Sequence, residues 1–170
     1  MNQEPKRDDA WQRIVERLDR MGARPQDCLS LMAGDRVVVA FCGDPWAYEA
    51  AWHDERQQWV PIHRSPQPVE PALRIRINCY VPAIGRMKWW EVDTCTFQVL
   101  RRMRDRYGLD KWLFEIEAVD VSDDGASGVY AVSPEAALDV ELLARIGSVP
   151  CFEWGDDDGE TLDARLERGE

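Results

Sequence analysis

Histidines and cysteines are the side chains of this chain best suited to catalysis. The chain has two histidines, His53 and His63, and His53 is followed by two acidic residues. A nucleophilic enzyme would pair Cys42 or Cys79 with one of these histidines and with a carboxylate that orients it. The residues around them match no nucleophile motif. We therefore predict no catalytic residue, and a small hydrolase or transferase using His53 and Cys42 is the alternative.

Signatures of metal and cofactor sites are missing from the sequence. The five cysteines are widely spaced and form no CxxC pair, whereas zinc ligands usually come partly in close pairs. Asp156, Asp158 and Glu160 have the spacing of positions 1, 3 and 5 of a calcium loop, but Thr161 stands at position 6, where that loop requires glycine. No phosphate-binding glycine motif occurs. We expect no metal, no cofactor and reduced thiols.

Charge is the most informative property of the chain. The net charge is −11, from 21 basic and 32 acidic residues. Residues 1–110 hold 17 Lys/Arg and 16 Asp/Glu, whereas residues 111–170 hold 4 and 16, so the whole excess lies in the last third. Phosphates would repel such a region, so direct nucleic-acid binding through it and contact with an anionic membrane are disfavoured.

The acidic third contains the residues that we predict to bind a partner. Carboxylates come from one predicted strand, from the loop after it and from the C-terminal tail, and two tryptophans are candidate apolar anchors. These residues are Glu115, Glu117, Asp120, Asp123, Asp124, Asp156, Asp157, Asp158, Trp90 and Trp154. A carboxylate surface of this kind speeds association with a basic protein.

Arginines form a second candidate feature. They fall on the polar face of one predicted strand and on the outer face of one predicted helix, and they would make one patch if these elements were adjacent. The residues are Arg74, Arg76, Arg101, Arg102 and Arg106. Such a patch could clamp a phosphate or carboxylate, or it could be an ordinary solvated face.

Hydrophobic periodicity predicts mixed helices and strands. The pattern indicates helices over residues 9–21, 44–58, 95–107 and 133–146, one or two helical turns over 28–32, and strands over 37–41, 72–81, 87–92, 111–121, 129–132 and 149–154. This order predicts an α+β fold with a mainly antiparallel sheet packed against several helices. Residues 1–154 would form a single domain, followed by a flexible acidic C-terminal tail at 155–170.

Together these features predict a non-enzymatic inhibitor. Its acidic, Trp-bearing C-terminal surface would block a basic partner, such as a nuclease or a nucleic-acid-binding complex. An inhibitor of a host defence complex (CRISPR or restriction) and an immunity protein against a toxin nuclease both fit, and a subunit of a ribonucleoprotein assembly is a further alternative. Neither a signal peptide nor a long apolar run is present, so we expect a cytoplasmic protein without a membrane partner.

Overall fold

The computed structural model describes residues 27–55, 58–62, 65 and 70–154. The predicted helix over 9–21, the acidic tail 155–170 and His63 lie outside the described residues. The described elements, in chain order, are β1 (Arg36–His53), β2 (Gln58–Pro61), β3 (Ala72–Val81), β4 (Arg86–Val92), α1 (Thr94–Tyr107), β5 (Trp112–Val121), β6 (Gly128–Ala137) and α2 (Val140–Gly147).

All strand pairs in the sheet are antiparallel, and the order across it is β4-β3-β1-β5-β6, with β2 paired to the end of β1. The described residues are 50% strand and 19% helical, and they contain two helices. The prediction of a sheet packed against several helices is therefore wrong. No helix in the part of the chain that the structure describes is long and apolar enough to cross a membrane.

The largest error concerns the helix expected over residues 44–58, where β1 continues as a strand. Asp44 and Pro45 have the residue types of a helix start, but here they lie in an irregularity of the ladder between Cys42 and Trp46. Gly43, with φ of +65°, turns the chain there. A bulge tolerates proline because Pro45 then has no ladder hydrogen bond to donate.

Two other helical predictions are also corrected. Residues 133–137 extend β6, and the helix begins only after Asp139, whose side chain accepts from the Leu142 backbone N–H at 2.7 Å. The segment after Asp27 is not helical. The Leu29 N–H donates to the Trp89 carbonyl at 2.7 Å, so this segment covers the outer edge of β4.

The central hairpin and its helix are confirmed. β3 has the predicted bounds, β4 pairs with it, and α1 follows after Asp93, which accepts from the Thr96 backbone N–H at 2.7 Å. Gly108, with φ of +81°, ends α1. In these segments the local capping residues and the apolar alternation agree, and the structure follows both.

One face of the sheet, the inner face, bends around α1. Ile75 and Ile77 of β3 share a buried cluster with Leu100 of α1 and with Phe114 of β5. The strands at the two edges of the sheet, β4 and β6, approach each other, since the rings of Trp90 and Tyr130 lie 5.1 Å apart. The inner face is therefore the main hydrophobic core.

The opposite face of the sheet, the outer face, is covered by α2 and by the residues that follow it. Leu142 of α2 is buried with Ala40, Tyr80 and Met87. Residues 151–154, called here the C-terminal segment, then cross β3, where the Asn78 side chain donates to the Phe152 carbonyl at 3.1 Å and accepts from the Phe152 N–H at 2.9 Å. No regular strand forms at 149–154, contrary to expectation.

The bulge at Gly43 gives a stability prediction. Gly43→Ala should destabilise the protein by about 1–2 kcal/mol because an L-residue is strained at positive φ. Gly147→Ala is the matched control, since Gly147 ends a helix and an added Cβ meets open space. Urea unfolding measures the unfolding free energy of both variants. Equal values for the two would contradict the strain at Gly43.

Candidate functional site

The predicted acidic surface is only partly a free negative surface. Glu115 and Glu117 lie on the outer face of β5 opposite Arg36 of β1. Arg36 Nη2 is 3.1 Å from Glu117 Oε1, and Nη1 is 3.9 Å from Glu115 Oε1. These two carboxylates are thus partly neutralised by a neighbour in the sheet.

The remaining carboxylates of this region lie at the end of the β5–β6 hairpin. Asp120 and Asp123 are exposed. Asp124 is half-buried and holds the turn together, because its carboxylate accepts from the Ser122 hydroxyl at 2.7 Å and from the Ala126 N–H at 2.9 Å. Asp124 is therefore a structural residue of the turn. Residues 156–158 lie outside the described part of the chain.

The two predicted tryptophan anchors have different environments. Trp90 is 2% exposed and packs in the inner core against Phe41 and Tyr130, so it cannot anchor a partner on the surface. Trp154 lies in the C-terminal segment and stacks near Trp46, with ring centroids 6.1 Å apart. Its indole packs against the protein's own outer face.

The predicted arginines do not form one patch. Arg74 and Arg76 lie on the outer face of β3, whereas α1, with its exposed Arg101, Arg102 and Arg106, packs against the inner face. Nor is the outer face of β3 a wet basic surface, since Arg74 is buried and Arg76 is nearly so.

Arg76 occupies a cage of rings and one carboxylate. Its guanidinium carbon lies 4.7–5.6 Å from four ring centroids, and Arg76 Nε donates to Glu91 Oε2 at 2.9 Å. The rings belong to Trp46, Tyr48, Trp89 and Trp154. Aromatic faces and a carboxylate together compensate the charge that burial removes from water. We call Arg76, Glu91 and the four rings the arginine cage.

Tyr48 and Glu91 hold the cage in one charge state. The Tyr48 hydroxyl donates to Glu91 Oε2, and Arg76 Nη2 donates to the Tyr48 oxygen at 3.2 Å. Burial, reinforced by the Glu91 charge, raises the pKa of Tyr48, so the hydroxyl stays protonated. Burial alone would lower the pKa of Arg76, but Tyr48 and Glu91 outweigh it and the pKa is raised. The cage thus holds one cation and one anion, and Glu91 also lies 3.9 Å from Arg74 outside it.

Beside the cage lies a cavity of about 400 Å³. It is bounded by β2, by β4, by the β5–β6 turn and by the C-terminal segment. Trp59 of β2 forms part of its wall and donates through its indole N–H to the Ala126 carbonyl of the turn at 3.1 Å. The guanidinium of Arg74 lies over the Trp59 ring, 4.7 Å from its centroid.

Sequence reasoning missed both the cage and the cavity. The signal was present in β1, where Trp46, Tyr48 and Ala50 alternate like strand residues, but the Asp44–Pro45 pair favoured a helix. A helix would have placed these rings on several faces. A strand places these rings on the same face as Arg76, which is the ladder partner of Trp46.

The structure does not bring the candidate catalytic pair together. Cys42 and His53 are eleven residues apart on one strand, which is on the order of 35 Å for extended chain. Burial raises the pKa of the Cys42 thiol to about 11, which makes it a poor nucleophile at neutral pH. Among the described residues, no group of three His, Cys, Asp or Glu side chains could hold a metal ion.

Comparisons with known proteins give no family. No family model matches the chain, and no curated protein and no solved structure matches it either.

The cage makes Arg76 a strong stability determinant. Arg76→Leu should destabilise the protein by about 3–5 kcal/mol, because it leaves the buried Glu91 carboxylate with only Arg74, 3.9 Å away and not hydrogen-bonded to it. Arg101→Leu, on the exposed face of α1, should change the free energy of unfolding by less than about 0.5 kcal/mol. Urea unfolding of both variants tests this, and a loss under about 1 kcal/mol for Arg76→Leu would mean that the cage contributes little.

The raised pKa of Cys42 predicts that the protein loses part of its unfolding free energy at alkaline pH. Its pKa lies near 11 in the folded protein and at the ordinary value of 9 when unfolded, so its contribution is complete below pH 9 and is lost as the pH rises through about 11. Cys42→Ala should therefore flatten the decline of unfolding free energy over this range. Cys95→Ala, an exposed cysteine on α1, should leave the decline unchanged, and a similar curve for both variants would refute the assignment.

Proposed function

We propose that the protein is a non-enzymatic binding protein that contacts a basic protein partner through the end of its β5–β6 hairpin. The observation that supports this is an apolar and acidic surface formed by neighbouring residues. Val119 is 56% exposed and Val129 is 59% exposed. Asp120, the ladder partner of Val129, and Asp123 are exposed beside them. We call these four residues the hairpin end.

The sheet irregularity explains why a valine faces solvent there. The register shifts between Ala118 and Asp120, so Val119 is the extra residue of a bulge. A bulge re-aims a side chain and ends regular pairing, which is a common device at binding surfaces. An apolar side chain held in water at a fixed turn gives binding energy when a partner covers it.

The charge of the hairpin end favours a basic partner. Its two free carboxylates belong to the third of the chain that holds 16 acidic and 4 basic residues. Such a field steers a cationic surface and disfavours an anionic one. A nuclease or another nucleic-acid-binding protein offers that cationic surface, and occupying its groove would inhibit it. Inhibition of a defence complex and immunity against a toxin nuclease are both consistent with this proposal.

Capture from cell extract tests the hairpin end directly. The variant Val119→Ser/Val129→Ser/Asp120→Asn/Asp123→Asn should lose a basic protein that the wild type captures, since both the apolar and the charged contacts are removed. Raising salt from about 50 to about 500 mM should weaken the wild-type complex at least tenfold, because exposed charges are screened. Quantitative mass spectrometry of the captured proteins provides the readout.

Val140→Ser is the matched control, because Val140 is 84% exposed but lies on α2 at another surface. This variant should retain the partner. A partner that is lost equally from both variants, or a complex that is insensitive to salt, would refute the hairpin end as the binding surface.

A further inference from the structure

A buried arginine N–H without an acceptor lies in the wall of the cavity. Arg74 is 8% exposed, and its Nε has no hydrogen-bond partner among the residues that the structure describes. A Glu91 oxygen lies 3.9 Å from this nitrogen, which is too far for a hydrogen bond. A guanidinium has five N–H donors and no acceptor, so each of them needs an oxygen or a ring face.

Other groups of the same wall also lack an acceptor. The indole N–H groups of Trp52 and Trp154 are buried without a partner in the described part of the chain, and both residues line the cavity. An unmade hydrogen bond of a buried donor costs about 1–3 kcal/mol. Together with Arg74 Nε, these two groups make three donors that a group rich in oxygen atoms would satisfy.

The acidic residues of the wall neutralise Arg74 only in part, since Glu91 Oε1 lies 3.9 Å from Arg74 Nε without forming a hydrogen bond. Glu91 is engaged through Oε2 by Arg76 and Tyr48. Asp93 accepts from the Thr96 N–H at the start of α1, and Glu153 is exposed to solvent. The cation of the arginine cage is thus compensated within the cage, whereas Arg74 retains a charge without a hydrogen-bonded counter-ion.

Part of the remaining wall is aromatic. Trp52, Trp59, Trp89 and Tyr130 line the cavity together with Arg74. Its volume of about 400 Å³ lies within the range of pockets that hold small organic molecules. Rings of this kind favour a planar ligand over an aliphatic one of the same size.

We propose that the cavity binds a small planar oxyanion, an aromatic ring carrying a carboxylate or a phosphate, with the anionic group on Arg74. The oxyanion accepts the Nε–H together with a terminal N–H of the same guanidinium, in the side-on geometry that makes arginine selective for such groups. This site is separate from the hairpin end and does not depend on the protein-partner proposal.

Four small probes test the site on the wild-type protein. Isothermal titration should show saturable binding of benzoate or phenyl phosphate, at least about ten times tighter than the uncharged benzamide, because only the anions form charge-assisted hydrogen bonds. The tighter of the two identifies carboxylate or phosphate as the preferred group. Inorganic phosphate, which has no ring, should bind more weakly than phenyl phosphate. Absence of binding up to about 10 mM for both anions would overturn the proposal.

Arg74→Lys separates the hydrogen-bonding geometry from charge alone. It keeps the cation but removes the Nε–H, so binding of the preferred anion should weaken about tenfold. Arg101→Lys on α1 is the matched control and should bind like the wild type. Equal binding by Arg74→Lys would overturn the role of Arg74. If that variant fails to fold, two measurements on the wild type still test the site. They are the ratio of its affinities for benzoate and benzamide, and the NMR shifts of its tryptophan indole N–H signals when the anion is added.

Discussion

Burial of the Arg76 charge is the constraint on which the outer face depends. A guanidinium taken out of water is tolerated only where a carboxylate and ring faces replace its hydration. Here Glu91 comes from the neighbouring strand, Tyr48 from the strand on the other side, and Trp154 from a segment 78 residues further along the chain. The C-terminal segment is thus required to complete the environment of a residue in the middle of the sheet. Asn78 fixes that segment in place.

Two arginines on one strand have different roles because of their different neighbours. Arg76 is enclosed by the cage and donates hydrogen bonds to Glu91 and Tyr48, so it stabilises the fold. Arg74, two residues earlier on the same face, has one ring contact, a charge pair with Glu91 at 3.9 Å and an N–H without an acceptor among the described residues, so we place the proposed ligand on it. The β5–β6 turn connects this cavity to the hairpin end, since Ala126 accepts from Trp59 within the turn that Asp124 orders. The two proposed surfaces therefore share one rigid element.

Local patterns predicted the parts of the fold in which they agree with the long-range pairing. The β3–β4 hairpin and α1 have clean alternation, a capping Asp93 and a terminating Gly108, and these elements are confirmed. The Asp44–Pro45 pair is locally a helix start, but the ladder to β3 keeps the chain extended. The cage was not predictable, because its members come from strands whose adjacency no local pattern encodes. The acidic excess was visible in the sequence, but its pairing with Arg36 requires the register of β1 and β5.

A double-mutant cycle on Arg76 and Glu91 tests the central claim, that a compensated buried charge organises the outer face. The cycle compares the unfolding free energies of Arg76→Met, Glu91→Gln, the double variant and the wild type. The structure predicts that each substitution lowers the unfolding free energy more in the wild type than in the variant that already carries the other substitution. The difference, which is the coupling energy, should be about 2–3 kcal/mol. Additive effects, with a coupling energy below about 0.5 kcal/mol, would contradict the account.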